Sequence, residues 1–231
     1  MRVLYFVGTL EVGGLERFVT RTSLKAKETD TFEPLVCCLN EKKGRFLKSL
    51  DNARIVVINA PKGWERKPVS VITFSRMVNN LKPDIVHSQV NFSMVQQRLA
   101  VFLANPRIKF CITERSQYRK KGFSLIRRII QFYFLRFMKT DYTANSLSVA
   151  HHVADQVGIH HSKIGVIPNG TAEIPPDEKV RRRIREHCGW KPNHFVLGYV
   201  GRLAPVKNHA LFIHAVAELK NQQYPVRACL L

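Results

Sequence analysis

Carboxylates are scarce in this 231-residue chain: 17 Asp and Glu stand against 37 Lys and Arg, a formal net charge of +20. An excess of that size predicts attraction to nucleic acid, anionic lipid or anionic substrates, and carries no information about fold. The five cysteines (Cys37, Cys38, Cys111, Cys188, Cys229) are odd in number and lie mostly inside apolar runs. That argues against a disulfide frame and fits reduced, buried thiols of a cytosolic protein. No Cys or His spacing suggests a zinc site. There is no periodic repeat, no low-complexity block, and no apolar run long and charge-free enough to span a bilayer. The opening MRVLYFVGTL is too short for a signal peptide and runs into a Gly loop and Glu11, so it reads as a first strand. Gly8, Gly13 and Gly14 do not form G-x-G-x-x-G, which disfavours a nicotinamide site. Aromatic-basic RNA-binding runs, zinc-finger spacing and a clear helix-turn-helix are missing, which disfavours nucleic acid as the partner.

What is present is an alternation of apolar runs and helical stripes. Strands are expected at Val3–Val7, Pro34–Leu39, Ile55–Ile58, Ile85-Val86, Ile108–Ile112, Thr140–Ala144 and Ile164–Ile167. Helices are expected after Gly14 (with Leu15, Phe18, Val19 and Leu24 inward), and over Arg45–Leu50, Val69–Leu81, Met94–Leu103 and Leu147–Val157. Buried strands alternating with helices imply an α/β domain with a parallel sheet covered on both faces and right-handed crossovers. Near Pro168 the texture changes to loop punctuation, Asn169-Gly170 and Pro175-Pro176, and then to the charged Asp177–Glu186. The expected organisation is a first domain over 1–168, a linker with a charged helix over 169–194, and the start of a second α/β unit over 195–231. In the charged helix, Lys179, Arg181, Arg182, Arg183 and Arg185 alternate with Glu178 and Glu186, the pattern of a solvated face.

The last stretch, FVLGYVGRLAPVKNH (Phe195–His209), reads as a buried strand, a Gly stop, a short loop and a helix start near Asn208 with the stripe Leu211, Phe212, Ala215, Val216, Leu219. Arg202 and Lys207 stand in that loop. An anion there would meet a guanidinium fork, an ammonium and the positive end of a helix, a combination suited to a diphosphate; the same two residues could be solvated loop cations. Pro225–Leu231 resembles a second strand. A lone strand, helix and second strand cannot cover both faces of a sheet, so the chain is expected to be part of a longer protein or to be completed by a partner.

Arg115 to Lys139 contains many bases and no acidic residue, interleaved with aromatics and aliphatics. It can be a helix buried in its own domain, or a basic interfacial segment on an anionic membrane surface. Trp64, flanked by Lys62, Arg66 and Lys67, is a second candidate for interface contact.

Five stretches, in order, carry a resemblance: GGLERFV (Gly13–Val19), KPDIVHSQ (Lys82–Gln89), TANSLSVAHHV (Thr143–Val153), IGVIPNGT (Ile164–Thr171) and VGRLAPVKN (Val200–Asn208). Together they span nearly the whole chain, which resembles the family 4 glycosyltransferases of GT-B fold: an N-terminal Rossmann-like domain on the acceptor side and the start of a C-terminal nucleotide-sugar domain. The resemblance implies a retaining transferase moving a sugar from a nucleotide-diphosphate donor to a glycan or lipid-linked acceptor in surface polysaccharide or glycolipid synthesis. It implies no cofactor and no required metal, and a cytoplasmic location, peripheral at the inner face of the membrane. Arg202 and Lys207 match the family's pair around the leaving diphosphate, where fixed donors meet developing charge. Gly13 and Gly14 match the loop that approaches donor phosphates or acceptor through backbone N–H groups; an ordinary βα turn is the plain alternative. Glu16, His87, Arg115, Asn169 and Gly170 are the cleft and acceptor candidates. Glu16 can equally be a first-turn carboxylate favoured by the helix dipole, and His87 a satisfied strand-end histidine. A positive-φ turn would explain Asn169-Gly170 with or without a ligand.

The chain departs from the family at three places. Arg115 stands where many relatives carry His and is a poor proton acceptor. Gln89 replaces the second His of the P-D-I-V-H-x-H pattern. The Glu-x7-Glu pair that holds donor sugar and ribose does not follow Lys207, so no catalytic residue is assigned. The competing reading is a non-catalytic basic α/β module that binds anionic lipid or nucleic acid.

Overall fold

The computed structural model describes residues 1–63, 68–90, 94–115, 140–171, 173–201 and 203–231. Arg202, Trp64 and the basic segment from 116 to 139 therefore lie outside the described residues. The chain divides into two compact units, Met1–Gly170 and Thr171–Leu231.

The first unit is a seven-stranded, all-parallel sheet. Its strands are β1 (Arg2–Val7), β2 (Glu33–Cys38), β3 (Val56–Asn59), β4 (Ile85–Ser88), β5 (Lys109–Glu114), β6 (Thr140–Ala144) and β7 (Ile164–Val166). They are ordered β3-β2-β1-β4-β5-β6-β7. Helices α1 (Gly14–Glu28), α2 (Leu47–Asn52), α3 (Pro68–Leu81), α4 (Met94–Ala104) and α5 (Leu147–Val157) alternate with them.

The unbroken apolar run of β1 follows from burial on both faces, because successive side chains point to opposite sides of a sheet. Leu4 and Phe6 join one cluster with Phe74 and Val78 of α3, Val101 of α4 and Ala150 of α5. Val3, Tyr5 and Val7 join the other with Val19 of α1 and Leu50 of α2. The rings of Phe6 and Phe74 lie 5.3 Å apart, and each side chain, with no exposed surface, contributes about 2–3 kcal/mol by leaving water.

The order reverses between β1 and β4, which pair in parallel with Tyr5 opposite His87. In open parallel sheets the crevice beyond the strand ends at such a reversal is where ligands bind. The β1–α1 loop is braced there by the segment before α2: Leu10 N–H donates to Lys43 O at 2.8 Å and Phe46 N–H to Leu10 O at 3.3 Å. Gly44 permits this close approach. It adopts φ +128°, and a Cβ on it would lie 2.0 Å from the Leu10 carbonyl.

The second unit holds α6 (Glu178–His187), β8 (Phe195–Tyr199), α7 (His209–Asn221) and β9 (Val226–Leu230), with β8 and β9 in parallel. Asp177 caps α6 by accepting from the N–H groups of Lys179 and Val180 at 3.0 Å. Most of the α6 bases are solvated, but Arg185 donates to the carbonyls of Lys191 and His194 at 2.8 Å and so ties down the following loop.

The expectation of a buried β8 is corrected here. Phe195 is 66% exposed, and of the stripe expected on α7 only Val216 is buried. One helix against two strands leaves the rest of that apolar surface uncovered. The cysteines are likewise not uniform: Cys37 and Cys38 are buried, whereas Cys188 is exposed.

Candidate functional site

In the first unit the strand ends at the β1/β4 reversal carry a continuous chain of polar contacts. Arg115, directly after β5, donates from Nε to Gln89 Oε1 at 3.0 Å. Its Nη1 donates to Asn169 Oδ1. Its guanidinium carbon sits 3.8 Å from the centroid of the Phe18 ring on α1, a cation–π contact. Gln89 is buried, and its own N–H donates to Phe6 O at 2.9 Å, which pins it beside β1.

The amide of Gln89 has one possible orientation. Arg115 carries donors only, so the atom facing it is the oxygen and the Nε2 group points the other way. Gln89 Nε2 lies 2.9 Å from His87 Nε2. That ring nitrogen must then be an acceptor, which puts the imidazole in its neutral form with the proton on Nδ1. Thr113 Oγ1 also reaches His87 Nε2, at 2.7 Å, and is 2.6 Å from Thr143 Oγ1. Burial, and second the Arg115 charge, pull the His87 pKa down to about 4, in agreement with the hydrogen bonds. His87 is thus the interior end of a chain whose outer end is Arg115. A nitrogen occupied by these donors at neutral pH positions Gln89 and has no proton there to give.

Arg115, Asn169 and Gly170 line a cavity of about 510 Å³ that follows α1. Gly14, Arg17, Phe18, Arg21 and Lys25 line it too, with Ala26 and Phe32. No carboxylate is among the described lining residues. Gly13 does not line it: this N-cap of α1 is extended, with φ −167°. A Cβ there would lie 2.0 Å from Glu16 Oε2. The Glu16 carboxylate is therefore folded over the positive start of α1, where the dipole favours it, and it does not line the cavity. Neither Asn169 nor Gly170 has positive φ. Asn169 is held through its side chain by Arg115, and no left-handed turn is needed.

Sequence reading picked out Arg115 and Asn169 separately without pairing them, and placed Phe18 in the core alone. It also passed over Arg17, Arg21 and Lys25, whose spacing of four residues was the available signal that they share a stripe of α1.

In the second unit Lys207 ends a 3-10 turn (Pro205–Lys207), and Asn208 caps α7 from the left-handed region, φ 48° and ψ 52°, accepting from Leu211 N–H at 3.3 Å. Tyr199 of β8 donates its hydroxyl to Lys207 O, closing the loop onto the strand. The ring of Tyr199 stacks on Phe212 at 5.0 Å. Lys207 is exposed and stands two residues before a 13-residue helix whose first-turn amides have no intrahelical acceptor. Its expected companion Arg202 falls outside the described residues. Among the described residues no group of three or more His, Cys, Asp or Glu could hold a metal ion, and no helix is long and apolar enough to cross a membrane.

A parallel α/β sheet with polar groups gathered at its switch point defines a class of binding domain; residues 12–172 match Glycosyltransferase Family 4. The chain belongs to that family. No curated protein sequence matches it. Among solved structures, that of HepE from Anabaena in complex with UDP and glucose is similar over 100% of this chain and 60% of its own, with a TM-score of 0.72 and 21% identity. A glycosyltransferase from Rickettsia africae is similar over 99% of this chain and 68% of its own, with a TM-score of 0.68 and 18% identity. The lipopolysaccharide outer core galactosyltransferase WaaB in its apo form covers 100% and 68%, with a TM-score of 0.56 and 18% identity. These are likenesses of fold, the GT-B α/β type. The chain spans about 60% of the length of the HepE structure.

Proposed function

We propose that this chain serves transfer of a sugar from a nucleotide-diphosphate donor to a glycan or lipid-linked acceptor, with retention at the anomeric carbon. The observation that carries the reading is the cationic cavity at the strand ends of a family 4 sheet, lined by Gly14, Arg115, Asn169 and Gly170. The donor's diphosphate is assigned to Lys207, Arg202 and the start of α7, and the amides of the Gly13-Gly14 loop are assigned to donor phosphates or acceptor. Cations and helix amides held in place before the reaction stabilise the charge that grows on the departing diphosphate without having to reorganise. In this reading they do so without a metal. HepE was solved with UDP and glucose, which supports a uridine nucleotide as the first donor to try. The net charge of +20 supports work at an anionic membrane face on the cytoplasmic side, in surface polysaccharide or glycolipid synthesis.

Calorimetry of the full chain with UDP- and GDP-sugars tests the reading. Binding is expected, weakened roughly tenfold by Lys207→Ala, the range for loss of a charged hydrogen bond. Absence of nucleotide-sugar binding, together with oligonucleotide binding of steep salt dependence, overturns it in favour of a basic binding module.

A further inference from the structure

Resting on the transferase reading, we propose that the cavity along α1 recognises a phosphate group of the acceptor. Arg17, Arg21 and Lys25 are spaced four residues apart and form one stripe of the helix, while Phe18, Thr22 and Ala26 form the adjacent stripe and Phe32 continues the floor. The result is a cationic wall beside a partly apolar floor. Arg17 and Arg21 have no ion-pair partner among the described residues, whereas Lys25 is shared with Glu28 at 3.0 Å. Cations left unpaired along a concave surface, with no carboxylate among the described lining residues, favour an anion there.

Arg115 adds the directional element. Gln89 and Asn169 hold it by one N–H on Nε and one on Nη1, and Phe18 supports its plane from one side. The rest of the five-donor fork has no partner among the described residues, and a planar fork of that kind suits phosphate oxygens. Seven residues of helix rise separate Gly14 from Arg21, about 10 Å at 1.5 Å each. A donor diphosphate seated at the Gly14 amides would leave Arg21 unused. That unpaired cation is available to a second anion, and the second substrate is the acceptor.

The test is binding to the full chain of inorganic phosphate, a sugar 1-phosphate, farnesyl phosphate and farnesol. The variants are Arg17→Ala/Arg21→Ala in α1 and, as a control with the same loss of charge, Arg182→Ala/Arg183→Ala in α6. The proposal expects at least one organic phosphate to bind, farnesol to bind at least tenfold more weakly than farnesyl phosphate, and the α1 variant alone to weaken phosphate binding roughly tenfold. Preference for farnesyl phosphate over the sugar phosphate identifies a lipid source, and the reverse a soluble glycan phosphate. Equal binding of alcohol and phosphate, equal losses in the two double variants, or no phosphate binding overturns the proposal. A chain that binds nucleotide sugars yet shows any of those results keeps the transferase reading. A chain that passes them but binds no nucleotide sugar keeps the cavity assignment and loses the transferase reading.

Discussion

Gln89 Nε2 lies 2.9 Å from His87 Nε2, and because Arg115 claims the Gln89 oxygen, the histidine is held neutral as an acceptor. The pair turns a cleft candidate into a satisfied strand-end histidine that supports Arg115 from the interior through Gln89. Protonating His87 would set two donors against each other and release Gln89.

The first prediction follows from that geometry. The His87 pKa in the folded chain is about 4, below the model-peptide value of 6.5. Between those values the unfolded chain takes up a proton that the folded chain refuses, so stability falls as pH drops from 6.5 towards 4 and is unaffected by this group above 6.5. The loss amounts to about 3 kcal/mol. Urea unfolding at pH 7 and pH 4 should show a smaller drop in His87→Asn than in wild type. An equal drop in both would mean that His87 is not the group responsible.

The Arg115 charge contributes to that depressed pKa after burial, so the two can be separated. In Arg115→Ala the His87 titration, followed by NMR of the imidazole, should move upward while remaining below its ordinary value. No upward movement would show that the guanidinium charge is not felt at the ring.

Gly44 is expected to reject any side chain. Gly44→Ala puts a Cβ 2.0 Å from the Leu10 carbonyl at φ +128°, combining backbone strain with a clash against main chain. A cost of about 3 kcal/mol is expected in denaturant unfolding. The β1–α1 loop should shift with it, since Leu10 is bonded to the Lys43 backbone. A change within experimental error would show that the brace is dispensable.

Asn208 separates two effects at the proposed diphosphate loop. Asn208→Ala loses the side-chain cap and forces a Cβ into the left-handed region, while Asn208→Gly relieves the backbone and loses the cap alone. Hydrogen exchange of the α7 amides should report about 2 kcal/mol for Ala and a few tenths for Gly. Equal losses would mean that φ 48° carries no strain here.

The sequence by itself determined the parallel sheet, its alternation with helices and the family. Each strand of β1 type is apolar throughout because both faces are buried, and that pattern is local. The resemblance in turn supplied Arg115, His87 and Asn169 as separate candidates. Only the tertiary structure decided what those residues do to one another. Gln89 and Arg115 are 26 positions apart, and Arg115 and Asn169 are 54 apart. Their meeting depends on strand order at the β1/β4 reversal, which hydrophobic periodicity does not encode. The fate of Phe18 was hidden for a similar reason: its spacing says that it faces inward, but whether it meets aliphatic core or an arginine depends on what the neighbouring strands deliver. The exposure of β8 and α7 was beyond the pattern too, because periodicity names the face a strand would bury and cannot supply the element that covers it.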